Sequence, residues 1–310
     1  AIAQEFKMSK LVKTAALITA GLLGTNALST VAGEDFYITT SYNFNTDVTE
    51  PTSTASMNEL EDAYWSTTVI TDNGDGIFSA GDTTLGSGGI ENIPQGIGTN
   101  DLNDNLISGF LPAGSSNNYL DNDGFSDTWI MTFGWTDLFG TVVEIAPGVG
   151  SIFYTSGTIN VYYADTLSDA SKVAVDQVYP TDFTKVLSLS VTAGGGNSIG
   201  QSLNLGGIVT YTDPSVAGFN WASDGAAFEA MAVSFLADQN TDPFWLNGAE
   251  GVVPGIGDSI FDENGVAVLS GRHNGSVSFN RRVPEPATLA LVGLGLLGMT
   301  RLSKKRTARA

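Results

Sequence analysis

The chain has 310 residues, with 33 acidic side chains against 13 basic ones, a single histidine and no cysteine. Its net charge of −20 repels phosphate backbones and anionic lipid headgroups, which weighs against nucleic-acid binding and against docking on a membrane surface. One histidine and no thiol leave little for Ser-His triads, zinc hydrolysis or a disulfide scaffold, whereas glycoside hydrolysis by paired carboxylates stays open.

From the N-terminus, Met8 reads as a natural start. Lys10 and Lys13 form a charged region, residues 14–24 form a short apolar one, and small residues follow. Thr30-x-Ala32 is a small-x-small cleavage site, with Thr25-x-Ala27 as second choice, so 8–32 is expected to be a signal peptide removed by signal peptidase. Residues before Met8 read as upstream translation or a fusion remnant. The body, 33–282, then holds all but two of the acids, and its only bases are Lys172, Lys185, Arg272, Arg281 and Arg282. Cations are its natural partners.

Runs of β-branched and aromatic residues predict strands at 36–44, 64–71, 128–135, 141–145, 151–154, 158–163, 173–178, 183–191, 202–212, 228–236, 266–269 and 276–279. Alternation with period two is clear at 158–163 and 185–191. Gly, Asn, Asp and Ser between the runs read as turns, including 193–198. Only 58–64 and 228–237 have a helical flavour, the first because Glu59, Glu61 and Asp62 suit a helix start. Residues 86–118 lack periodicity and read as a long surface loop. A dozen short strands without βαβ alternation point to an all-β fold, an antiparallel β-sandwich of jelly-roll-like order. An N-terminal signal helix and a C-terminal hydrophobic helix flank it.

Within the body, residues 71–82 (TDNGDGIFSAGD) carry the most specific chemical signal. They resemble an EF-hand-type calcium loop. Asn73 and Asp75 fall at ligand positions three and five, Gly76 at the sharp turn, the Ile77 carbonyl at seven, Ser79 at nine and Asp82 at twelve. Phe78 is expected to anchor the loop in the core. Thr71 at position one and the short Asp82 at twelve depart from the pattern, so the expected affinity is in the weak extracellular range of about 0.1 to 1 mM. Asn73-Gly74 and Asp75-Gly76 are equally strong turn signals, which keeps a plain β-hairpin open as the other reading. Residues 121–127 are a poorer second candidate.

Trp129 and Trp135, six apart, share a face of an unbroken strand and read as core, while Trp65 falls in the strand run 64–71. Trp221 and Trp245 lie in polar, turn-like segments and are the candidates for contact with a glycan. His273, between Arg272 and Asn274, reads as a surface residue in a turn.

At the C-terminus, Val283-Pro284-Glu285-Pro286 precedes fourteen uncharged residues, 287–300, and then the bases Arg301, Lys304, Lys305, Arg306 and Arg309. The prolines keep the tetrad extended, the uncharged stretch makes a helix of about 21 Å that spans a bilayer only marginally, and the basic cluster stays in the cytoplasm. Gly293-x-Gly295-x-x-Gly298 matches a dinucleotide fingerprint by letter but lacks its strand and following helix. An ordinary single-span anchor is the plain reading of this order. The tetrad together with Leu294-Gly295-Leu296-Leu297-Gly298 closely resembles the PEP-CTERM sorting signal of Gram-negative bacteria. That resemblance implies that 283–310 is a sorting segment cleaved by an exosortase, that the inner membrane is met only transiently, and that the body is exported to the cell surface or extracellular matrix. Residues 270–279 running into the tetrad, Phe219-Asn220-Trp221 and 233–245 are similar to flocculation-associated PEP-CTERM proteins. This second resemblance implies a non-enzymatic role in floc or biofilm cohesion with exopolysaccharide. The alternative from the residues is a secreted carbohydrate-binding or carbohydrate-active protein on the same β scaffold.

Overall fold

A computed structural model describes residues 33–40, 53–92, 105–112, 129–165, 183–198 and 202–282. These residues form twelve strands and no helix: β1 (Phe36–Thr40), β2 (Met57–Thr71), β3 (Thr83–Gly89), β4 (Leu106–Pro112), β5 (Trp129–Ala146), β6 (Val149–Asp165), β7 (Thr184–Ser198), β8 (Ser202–Thr212), β9 (Ala217–Trp221), β10 (Val233–Leu246), β11 (Ala249–Glu250) and β12 (Val266–Arg281).

The all-β antiparallel body expected from the sequence is present, and its sheet closes on itself. Hydrogen-bonded neighbours run from β2 through β3, β5, β6, β7, β8 and β10 to β12, which pairs back onto β2 along Val266↔Thr71 to Ser278↔Glu59. Closure removes the unpaired edges that an open sandwich leaves exposed. Successive members of the ring follow one another along the chain, so the order within this class is a meander rather than a jelly roll. β4 supplements the ring beside the first half of β2, and β3 takes over beside the second half. At the changeover, Asn105 Oδ1 accepts the Trp65 N–H at 2.9 Å.

Period two decides what fills the interior. On β2, Leu60, Asp62, Tyr64, Thr68 and Ile70 point inward and are buried. Trp129, Met131, Val186, Leu187, Val209 and Phe279 are likewise buried in the core. At one end, β1 pairs with β9, and Phe36, Phe219, Phe228 and Phe279 pack with ring centroids 5.3 to 6.1 Å apart. The β2–β3 and β5–β6 hairpins and residues 247–265 lie at the other.

Several local expectations change. Residues 58–64 are strand, because Glu59 and Glu61 alternate with the inward row Leu60, Asp62 and Tyr64 instead of opening a helix. The second helical candidate contains Phe228, outside any strand, and the first residues of β10. Residues 86–89 and 106–112 of the expected loop belong to β3 and β4. Runs read as separate strands fuse into β5, β6 and β12, and 193–198 continues β7. The strand expected at 173–178 and the acidic segment 121–127 lie outside the described residues, as do 8–32 and the whole sorting segment.

Candidate functional site

The β2–β3 hairpin carries the acidic loop. Both readings of the sequence meet here, since Thr71 pairs with Thr83 and residues 72–82 form the connection. Phe78 is fully buried, as expected. Its ring lies over Gly150 and beside Ile256, and its backbone is clamped by Phe78 N–H to Asp258 O and Gly257 N–H to Phe78 O, both 2.8 Å. Gly76 supplies the sharp reversal with φ of 78°.

On this anchor, carboxylate oxygens of Asp72, Asp75 and Asp82 come within 4.8 Å of one another. Asp75 and Asp82 belong to the expected ligand set; Asp72 does not. The EF-type count starts at Thr71, an exposed strand residue, and steps over Asp72, whereas the hairpin brings Asp72 to the cluster by folding its two limbs together. The other expected ligands organise the acids. Asn73 Nδ2 donates to Ser79 Oγ at 2.8 Å, and Ser79 Oγ donates to Asp75 at 2.7 Å. Asp82 accepts the N–H groups of Asn73 and Ser79 at 3.0 and 2.8 Å, and Ile77 donates its N–H to Asp75 at 3.1 Å. Asp72 caps the turn by accepting from Gly74, Asp75 and Gly76.

The electrostatics differ within the cluster. The Ser79 hydroxyl, then the Ile77 N–H, hold the Asp75 pKa below the ordinary carboxylate value. Burial raises that of Asp82, opposed by the two N–H groups and reinforced by the charges of Asp75 and Asp72. Three hard oxygen donors with mutual repulsion suit a divalent cation such as calcium.

The tryptophans separate by face. Trp129 and Trp135 are core, as expected. Trp221 is also buried, 4 % exposed, with its ring 4.3 Å from Phe228 and 5.0 Å from the Arg281 guanidinium. This corrects its reading as a glycan platform: Trp221 closes the β1–β9 end of the core. Trp245 remains half-buried on the outer face, and its partner is Trp65 on β2, with ring centroids 5.0 Å apart. Exposed Arg272 sits opposite Trp65 on the intervening strand β12.

His273 is not a surface residue. It lies in the middle of β12, is buried, and points into the interior. Its ring stacks on Tyr64 at 4.7 Å and 16°; Nε2 lies 2.7 Å from Ser66 Oγ and Nδ1 2.9 Å from Thr241 Oγ1. Burial lowers its pKa to about 3, so the ring is neutral at physiological pH.

Among the described residues, cavities of about 60 and about 30 Å³ lie in the interior. Only the second meets a carboxylate, that of Asp62.

The model of the PEP-CTERM protein-sorting motif matches residues 282–306, which include Val283, Pro284, Glu285 and Pro286 and the bases Arg301, Lys304, Lys305 and Arg306. No curated protein and no solved structure matches the chain.

Proposed function

We propose that this PEP-CTERM protein, exported across the inner membrane through exosortase-dependent sorting, works at the cell surface or in the extracellular matrix as a non-enzymatic cohesion protein. In this reading it engages exopolysaccharide in floc or biofilm, and calcium bridges its acidic hairpin to anionic sugars. The observation that carries the reading is the Asp72–Asp75–Asp82 oxygen cluster, held by buried Phe78 on a body that is itself strongly acidic. Such a body gains from divalent cations twice, by relief of self-repulsion and by bridging.

Purified body should sediment with exopolysaccharide in calcium and remain in solution with chelator, and Asp75→Ala should remove the calcium dependence. Saturable hydrolysis of a polysaccharide, lost on changing one carboxylate pair, would overturn the cohesion reading in favour of a glycosidase. The Trp65–Trp245 pair supports a second contribution, direct stacking on sugar rings, because an amphipathic aromatic pair on an outer face offers apolar area to a sugar. Trp245→Ala should then weaken sedimentation without changing its calcium dependence.

A further inference from the structure

The larger cavity has a chemistry that neither the acidic hairpin nor the outer tryptophans use. It lies inside the ring, toward the hairpin end, and no charged side chain lines it. Its walls combine aromatic surface from Trp135, Tyr154 and Phe244 with the hydroxyls of Ser66 and Thr241 and the His273 imidazole. The imidazole is fixed by those two hydroxyls, one on each nitrogen, and by the Tyr64 ring beneath it. One hydroxyl must donate to the ring and the other accept from it. Ser66 and Thr241 therefore each keep hydrogen-bonding capacity beyond the histidine, and both are only half-buried.

Trp135 adds an independent observation. It is 3 % exposed, stands between this cavity and the smaller one, lining both, and its indole Nε1–H has no hydrogen-bond partner. Buried indole donors are ordinarily satisfied, so this one points to an acceptor supplied from outside the chain. A volume of about 60 Å³ takes about four to six water-sized groups at roughly 10 to 15 Å³ each, enough for a glycol-sized fragment. The rim at Ser202 and Leu203 is half-exposed, which leaves the remainder of a larger molecule room outside.

We propose that this end of the barrel is a binding site for a small neutral polyhydroxy ligand, a polyol or the diol edge of a neutral sugar, received by Ser66, Thr241 and Trp135 Nε1–H around His273. The aromatic walls take the C–H face of the ligand and the hydroxyls take its oxygens. An anion is disfavoured, since no cationic side chain lines the cavity and the imidazole is held neutral.

His273 is the only histidine in the sequence, so its ring C–H resonances report on this cavity without assignment. Glycerol and neutral monosaccharides titrated into the folded body should shift those resonances saturably and change Trp135 fluorescence. Ser66→Ala should weaken the response at least fivefold, and Ser202→Trp, at the half-exposed rim, should block it while the melting temperature stays near that of the parent. Asp75→Ala should leave it intact, which separates this site from calcium-dependent cohesion. An unshifted His273 signal at 100 mM of every probe, or shifts that survive Ser202→Trp in a folded protein, would overturn the proposal and leave ordered water as the occupant.

Discussion

The acids of the β2–β3 hairpin and Asp62 in the barrel interior are the same functional group under opposite conditions. Asp72, Asp75 and Asp82 are gathered at a tip where backbone N–H groups and a serine hydroxyl meet them. Asp62 is buried beside Gln239, whose Nε2–H donates to one carboxylate oxygen at 2.9 Å, while the other oxygen and Gln239 Oε1 have no partner. Burial pushes the Asp62 pKa up to about 7, with the Gln239 bond opposing and the charge of Glu61 adding to the rise. Burial at Asp62 and hydrogen-bond supply at Asp75, more than the count of negative charges, separate the two environments. At the hairpin, charge can be kept and offered to a cation; in the interior it is a liability relieved by a proton.

The largest expected effect tests what keeps the exposed acids together. Phe78→Ala empties a fully buried site and should destabilise the body by about 3 to 5 kcal/mol. Any remaining calcium response should fall with it, as read by calorimetry with and without the ion. A calcium response unchanged in this variant would show that the cluster does not depend on its anchor.

Next comes Asp62→Asn, which replaces the acid by an amide able to accept from Gln239 Nε2 and donate to its orphaned Oε1. Because the folded pKa lies above the unfolded value of 3.8, the unfolded chain releases this proton first. The contribution of Asp62 to stability therefore falls as pH rises from about 4 to about 7 and is level above that. The asparagine variant should gain about 2 to 4 kcal/mol over the parent at pH 8 and much less at pH 4, by denaturant titration at both pH values. Equal effects at the two would mean that Asp62 is ionised in the folded protein throughout.

Calcium itself should raise stability by about 2.7 kcal/mol at one hundred times its dissociation constant. The shift should vanish in Asp75→Ala and in Asp82→Asn. Sodium chloride at matched ionic strength reproducing the whole rise would assign it to screening alone.

Much of this contrast was legible in advance, and the remainder was hidden for a common reason. The strands show themselves by alternation, and Phe78 by being the aromatic residue within a polar loop. Asp62, by contrast, belongs to a cluster of acids that reads as a helix start until the inward row Leu60, Asp62, Tyr64 is recognised. His273 reads as a surface residue because Gly271, Asn274 and Gly275 around it look like a turn. In the closed sheet those glycines sit mid-strand: a Cβ on Gly275 would lie 2.0 Å from Asp238 O, and one on Gly271 2.7 Å from the Thr241 methyl. Glycine there makes room for the polar side chains inside, a signal that local sequence cannot distinguish from a bend. Trp65 and Trp245 become neighbours only across β12, a relation between three distant segments. Asp72 was hidden by counting along the loop rather than across it.

β12 is both the strand that closes the ring and the one that leads into the sorting tetrad, with Arg281 at its end and Val283 two residues on. Its partner β2 lies far back along the chain; Ser276 bonds Glu59 across 217 residues. Pairing at that separation carries a large loop-closure cost and is slow to form. Chain order thus leaves the barrel open until β12 has paired with β2, and the stave that locks it is the one that runs directly into the sorting motif at residues 282–306.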